Sequence, residues 1–214
     1  MEIKHPLLLV RHGEAEHHIQ GITGGWSDTR LTETGLRQVN LLAGRLHEEL
    51  NHHPIHLGSS NLQRARQTAQ VIASSLAVEV QIYESLTDLN NGVAAGKTHQ
   101  QARQVALPLS EPVIDWQPYP QAETWRQFYA RVSRFMETFC RWQQSPALLV
   151  THAATLHVIV AWWLGLPVES RTHFDAAPAS LTVLKINRWG ERSLERLNDT
   201  AHLCTPGPYH PIVF

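Results

Sequence analysis

Cysteine is scarce: Cys140 and Cys204 are the two present in 214 residues. So few cannot staple a disulfide scaffold or supply a cysteine-rich zinc site. Both are expected as free thiols in the reducing cytoplasm. Charge is scarce too. Charged residues make up 17% of the chain and the formal net charge is −1, against the roughly 25% charged residues usual in globular domains. A chain so balanced is not a general nucleic-acid or membrane-surface binder, so any anion site must be local. Long apolar runs are missing. The longest, "LHVIVAWWLGLPV" at 156–168, falls short of the about 20 residues that a membrane span needs. The apolar run after Lys4 is too short for a secretory signal and has no small-residue cleavage site. No repeat, low-complexity tract or linker interrupts the sequence, and no glycine-rich Walker loop occurs. One domain over 1–214 is expected, without metal or organic cofactor. Nothing in the sequence indicates an oligomeric state.

Histidine, by contrast, is plentiful at fourteen, and hydrophobic residues make up 43%, enough for a substantial core. Residues 7–10, "LLLV", read as a strand buried on both faces. Apolar residues then recur every three or four positions at Leu36, Val39, Leu42, Leu46 and Leu50, predicting a helix over 33–50. "IHLGSS" at 55–60 predicts a second strand, 62–76 a helix with Leu62, Ala65, Ala69, Ile72 and Leu76 on one face, and "VEVQIY" at 78–83 a third strand. Residues 84–121 then break the pattern. They form a long excursion with Gly, Pro and Asn and one short helix near 98–106; such excursions are usually functional or disordered. A helix resumes near Glu123, with Trp125, Phe128, Val132, Phe135, Phe139 and Trp142 as a core stripe. "ALLVTH" at 147–152 predicts a fourth strand, 154–164 a helix, and 180–187 with 192–198 a hairpin. The tail from Thr200 reads as irregular. Strands alternating with helices predict a three-layer α/β/α sandwich around a mostly parallel sheet.

Ligands of open α/β sheets bind beyond the carboxyl ends of the strands. Arg11 and His12 follow the first strand. Ser59, Ser60 and Arg64 follow the second, Glu84 and Asp88 the third, and His152 the fourth. Two arginines, two histidines and an acid on one rim suit phosphoryl transfer. Guanidiniums fork onto phosphate oxygens, a neutral imidazole can attack phosphorus, and a carboxylic acid can protonate the leaving oxygen. Arg66 shares a helix with Arg64, and one of the two is expected to be solvated. The adjacent pairs His17-His18 and His52-His53 lack zinc-site spacing; of these four, His18 alone is a candidate for touching substrate.

"LLLVRHGEAE" resembles the R-H-G opening of the histidine phosphatase superfamily, also called phosphoglycerate-mutase-like. "TGGWSDTRLTETGLRQ", "SSNLQRARQTA" and "LLVTHAATLH" resemble three further blocks of that family, in order along the chain. The resemblance implies a phosphoglycerate-mutase-like fold. It also implies His12 as the nucleophile, Arg11, Arg64 and His152 as phosphoryl binders, and Thr23 and Gly24 on the substrate side. The family acid corresponds to Asp88 in "LTDLNNGVAAG", one methylene shorter than the usual Glu, with Glu84 as the competitor at the wrong offset. Three further departures concern the leaving-group side. His18 stands near the family's Asn, Ala153-Ala154 replace two glycines, and Ala94-Ala95 replace an aromatic-acid pair.

The expected activity is metal-independent hydrolysis of a small phosphomonoester through phosphohistidine. A mutase is the first alternative; it needs extra cations, and 97–120 offers only Lys97 and Arg103. A pseudoenzyme that binds phosphorylated ligands is the second. Trp116, Tyr119 and Trp125 suggest an apolar or aromatic leaving group.

Overall fold

A computed structural model of the chain describes residues 5–50, 53–170 and 172–204. The described residues form β1 (Leu7–Arg11), α1 (Glu16–Gln20), α2 (Glu33–Leu50), β2 (His56–Ser59), α3 (Gln63–Leu76), β3 (Val80–Ile82), α4 (His99–Gln104), α5 (Trp125–Trp142), β4 (Ala147–Thr151), α6 (Ala153–Trp163), β5 (Leu181–Ile186), β6 (Arg192–Asp199) and α7 (Ala201–Cys204). Among them no helix is long and apolar enough to cross a membrane.

One six-stranded sheet has the order β3-β2-β4-β1-β5-β6. β3, β2, β4 and β1 run parallel, β5 pairs antiparallel with β1, and β6 pairs antiparallel with β5. The continuous apolar runs of β1 and β4 fit their place: both are central strands, and Leu7 to Val10 and Ala147 to Val150 are completely buried. Leu8, Val10, Leu148 and Val150 face α2 and α3, while Leu7, Leu9, Ala147 and Leu149 face α5 and α6. Alternate side chains of one strand therefore feed two cores, which gives three layers. Burying each of these large side chains stabilises the fold by roughly 1.5–3 kcal/mol.

Capping residues start the helix inside the excursion and the one that follows it. Thr98 opens α4 and Thr124 opens α5, each accepting from the backbone N–H three residues on, where a glutamine reaches back. Leu36 is exposed rather than core, because the buried face of α2 runs through Val39, Leu42, Leu46 and Leu50. Trp142, at the last turn of α5, is 74% exposed and leaves the core stripe there. α1 has no apolar period and was not expected. The excursion contains α4 and three short 3-10 turns. Trp116 bonds the Pro108 carbonyl through its indole, and Trp125 packs on Phe128 and His157. In the tail, α7 makes one helical turn after Thr200. His52 and the tail from residue 205 lie outside the described residues.

Candidate active site

The ends of β1, β2 and β4 lie in register, with Arg11 beside Thr151 and Ser59 beside Val150. His12 is fixed by the strands on either side. Its N–H donates to Thr151 O at 3.0 Å, and its carbonyl accepts from Ala179 N at 3.1 Å. Gly13 and Gly35 then permit a close crossing of the chain. A Cβ on Gly35 would sit 2.0 Å from Glu14 O, and one on Gly13 would sit 2.7 Å from Gly35 O. Only glycine fits there, so the loop behind the histidine is clamped onto the start of α2.

His12 is buried, and its Nδ1 lies 2.7 Å from Gly13 O. A carbonyl can only accept, so Nδ1 carries the proton and Nε2 keeps its lone pair. Arg64 Nε donates toward that Nε2 at 3.1 Å. Burial first, then His152, Arg64 and Arg11, push the pKa of His12 well below the ordinary imidazole value. His12 is therefore a neutral imidazole whose Nε2 keeps a lone pair able to act as a nucleophile.

Arg64 is held on the first turn of α3, completely buried. Its terminal nitrogens donate to Ser27 O (2.6 Å) and Gly25 O (2.7 Å), and Nη2 also lies 3.5 Å from Asp88 Oδ2. Arg66 is exposed. Arg11 donates to Ala176 O at 2.6 Å, and its buried Nε meets no hydrogen-bond partner among the described residues. Its Nη2 lies 2.7 Å from His18 Nε2. His18 Nδ1 already accepts from Ala15 N–H at 3.0 Å. In neutral His18 the proton is therefore on Nε2, where it faces a guanidinium N–H. Two donors brought together in this way suit an oxyanion that accepts from both.

His17 joins the site as well, which its sequence position did not suggest. Its ring is 5.9 Å from that of His12 and 4.1 Å from that of His18. Its Nδ1 bonds the Thr29 hydroxyl at 2.8 Å, and its ring fills the space beside Gly24, where a Cβ would come within 3.3 Å. Burial lowers His17 to about 3 and His18 to about 4. The signal available in the sequence was an adjacent histidine pair a few residues past a strand end.

His152 caps α6, with its ring 5.1 Å from that of His12. Its Nε2 lies 2.8 Å from Ser60 Oγ, and its buried Nδ1 meets no hydrogen-bond partner among the described residues. Burial, then Arg64 and Arg11, hold it well below the ordinary value, so it is neutral. Asp88 Oδ1 accepts from Leu89 N, and Oδ2 lies 3.5 Å from Arg64 and 4.0 Å from His152. Burial raises the Asp88 pKa, and the nearby arginines only partly offset this. Glu84 is exposed at the start of a 3-10 turn. The Asp88 carbonyl accepts from Arg131 and from the Trp26 indole, which leaves the half-exposed Trp26 ring beside the acid.

The Thr23 hydroxyl donates to Ala94 O at 2.6 Å and accepts from Asn91, so it ties the excursion to the pocket. The Gly24 carbonyl accepts from Asn91 as well. A ring nitrogen from each of His12, His17 and His18 lies within 4.8 Å of the other two, close enough to consider a metal. The arrangement fits one poorly. The His18 nitrogen that faces the pocket carries its proton, and Arg11 and Arg64 stand alongside as cations. The donors and charges fit a phosphate-like dianion.

Comparison with known proteins agrees with this chemistry. Residues 7–200 match the model of the histidine phosphatase superfamily (branch 1). The adenosylcobalamin/alpha-ribazole phosphatase of Escherichia coli K12 is 30% identical over 186 residues, 85% of this chain and 90% of that protein. A protein of Photorhabdus laumondii named "Probable phosphoglycerate mutase GpmB" is 31% identical over 207 residues, 92% of this chain and 94% of its own. The solved structure of the alpha-ribazole phosphatase from Shigella flexneri superposes with a TM-score of 0.76 at 27% identity, covering 91% of this chain and 96% of that one.

Proposed function

Since the chain belongs to the histidine phosphatase superfamily, we propose that it hydrolyses small phosphomonoesters in two steps through a phosphohistidine at His12. The observation that carries this reading is the His12 tautomer. Its Nε2 carries no proton and faces the Arg64 guanidinium, with the Asp88 carboxyl beside that arginine. In the first step Nε2 attacks phosphorus, the phosphorus–ester oxygen bond breaks, and protonated Asp88 gives its proton to the leaving oxygen. In the second step water attacks the phosphohistidine and passes a proton to the Asp88 carboxylate. The phosphorus–nitrogen bond breaks, phosphate leaves, and both residues return to their starting states. Arg11, Arg64, His18 and His152 donate to the phosphoryl oxygens, where charge gathers in the transition state. Thr23 and Gly24 shape the substrate side, Thr23 by holding Ala94. No step uses a metal or an organic cofactor.

The relative named as a mutase makes phosphoryl return to a second hydroxyl the runner-up. That reaction needs further cations for a substrate's acidic groups, and 97–120 contributes only Lys97 and the exposed Arg103. Hydrolysis is the better fit. The whole chain acts as one domain, and with Cys140 and Cys204 both free we place it in the cytoplasm.

The test is a phosphoester panel assayed for phosphate release, with acid-labile, alkali-stable label trapped from a labelled substrate. Activity and label are expected in wild type and lost roughly 10⁴-fold or more in His12→Ala. Undiminished label in that variant would sink the reading. Isomer without free phosphate from a phosphoglycerate would favour the mutase.

A further inference from the structure

Ser60 lies just past the end of β2, completely buried beside His152. Its Oγ accepts a long bond from Leu62 N–H (3.3 Å) and lies 2.8 Å from His152 Nε2. The neighbouring Ser59 hydroxyl turns to the Ser60 carbonyl. Two arrangements of hydrogens can be written for this pair, and they differ in what His152 presents to the pocket.

In the first, Nε2–H donates to Ser60. The serine oxygen then accepts from both Leu62 and His152, and its own buried hydrogen meets no acceptor among the described residues. His152 Nδ1 would then aim a bare lone pair toward Asp88 Oδ2, 4.0 Å away. In the second, the Ser60 O–H donates to Nε2 and the serine hydrogen is placed. Nδ1 then carries the proton, and the protein leaves that N–H unpartnered inside the pocket. The first arrangement leaves two buried groups unpaired, the serine hydrogen and the Nδ1 lone pair, and the second leaves one; each costs roughly 1–3 kcal/mol, so the second wins. An oxyanion beside His12 rewards the same choice, because it accepts from Nδ1–H.

We propose that Ser60 is a positioning residue whose hydroxyl donates to His152 Nε2, fixes the Nδ1–H tautomer, and so makes His152 a donor to the phosphoryl oxygens. The catalytic consequence rests on the phosphatase reading; the tautomer itself does not. It follows that His152 works as a neutral donor. Protonating Nε2 would turn the serine hydrogen away from its one acceptor.

The test uses the full chain in two arms. In the first, ¹⁵N NMR of histidine-labelled protein, with His152 assigned by its loss in His152→Gln, reports each ring nitrogen. Nε2 is expected to resonate as unprotonated and Nδ1 as protonated, with the two tautomers mixing in Ser60→Ala. In the second arm, rapid-quench trapping of the phosphoenzyme from p-nitrophenyl phosphate measures the first step. Its rate is expected to fall about 10- to 100-fold in Ser60→Ala and Ser60→Val, somewhat less than the full loss of an oxyanion donor. Ser60→Thr, which keeps the hydroxyl at the volume of valine, is expected to restore most of that rate. A protonated Nε2 in wild type overturns the proposal whatever the variants do. So does a Ser60→Ala rate within about twofold of wild type, given the size expected for a lost donor. An Nδ1–H tautomer in a protein that turns over no phosphoester would overturn the phosphatase reading while leaving the tautomer assignment standing.

Discussion

Two buried clusters in this molecule combine arginines, acids and histidine, and they are built to opposite ends. At the far edge of the sheet, Arg45 and Arg196 meet Glu49 and Asp199. Arg45 bonds Glu49 at 2.8 Å and also bonds Asp199, and Arg196 reaches both oxygens of Glu49 at 2.9 and 2.8 Å. Two cations face two anions, and the bond from Arg45 holds Asp199 down to about 2. At the rim, Arg11 and Arg64 bond the carbonyls of Ala176, Ser27 and Gly25, and among the described residues only Asp88 comes within 4 Å as a carboxylate. Among the described residues His152 Nδ1 and Arg11 Nε have no hydrogen-bond partner, and His18 Nε2–H meets a guanidinium N–H. The balanced cluster joins α2 to β6, with charge matched by charge and His202 set against Arg45. The unbalanced one is complete only with an anion. A buried arginine is thus read by what its remaining donors face, more than by its burial.

The contrast can be broken by substitutions at each cluster. The largest effect is expected from Asp88→Asn, which keeps the volume and removes the transferable proton. kcat should fall about 10³-fold, within the usual range for a lost general acid. The folded pKa of Asp88 is raised, so its stabilising contribution is present below the unfolded value and is lost as pH rises through the folded value. At neutral pH the variant should therefore melt at a higher temperature than wild type while being nearly inactive. An unchanged or lower melting temperature would count against Asp88 as a desolvated acid. In wild type, kcat should decline as pH rises through the raised Asp88 value and decline again at acid pH as His12 protonates.

Next in size is Glu49→Gln, which leaves Arg45 and Arg196 short of a charge partner. Breaking a buried pair from one side costs about 3–5 kcal/mol, so urea melts should show a loss of that order. kcat/KM at temperatures where the variant remains folded should not move. A kinetic defect would mean that the far cluster communicates with the rim, and the contrast would fail.

A smaller effect is expected from His18→Ala. Losing one charge-assisted donor should weaken competitive inhibition by vanadate about tenfold, with His18→Asn recovering part of it. Equal inhibition in all three proteins would place His18 outside the phosphoryl pocket. The smallest is an acid limb in stability. His12 and His152 have depressed folded values, so their contribution is present above about pH 6.5 and is lost as pH falls through the folded values. His152→Asn should flatten the melting temperature's dependence over that range.

Much of this was legible in the chain. The run "LLLV" could only be a strand buried on both faces, and it fixed Arg11 and His12 at a carboxyl edge. Arg64 and His152 were found the same way, from the ends of β2 and β4. His17 was not, because its position depends on α1, a five-residue helix without apolar period that folds back under Thr29 and Gly24. The burial of Val39 and the exposure of Leu36 were likewise decided by which face of α2 met the sheet.

By itself the sequence determined the alternation of strands and helices, the strand ends that carry chemistry, and the near-neutral charge that keeps an anion site local. These follow from period, residue type and count. Only the tertiary structure decided which nitrogen of each histidine carries its proton. That choice depends on partners distant in the chain, such as Ser60 for His152, together with local contacts such as the Gly13 carbonyl for His12. A hydrogen bond needs a geometry that spacing along the chain does not contain. The same holds for Asp88: its residue type offered an acid, but burial within the excursion was needed to raise its pKa toward holding a proton.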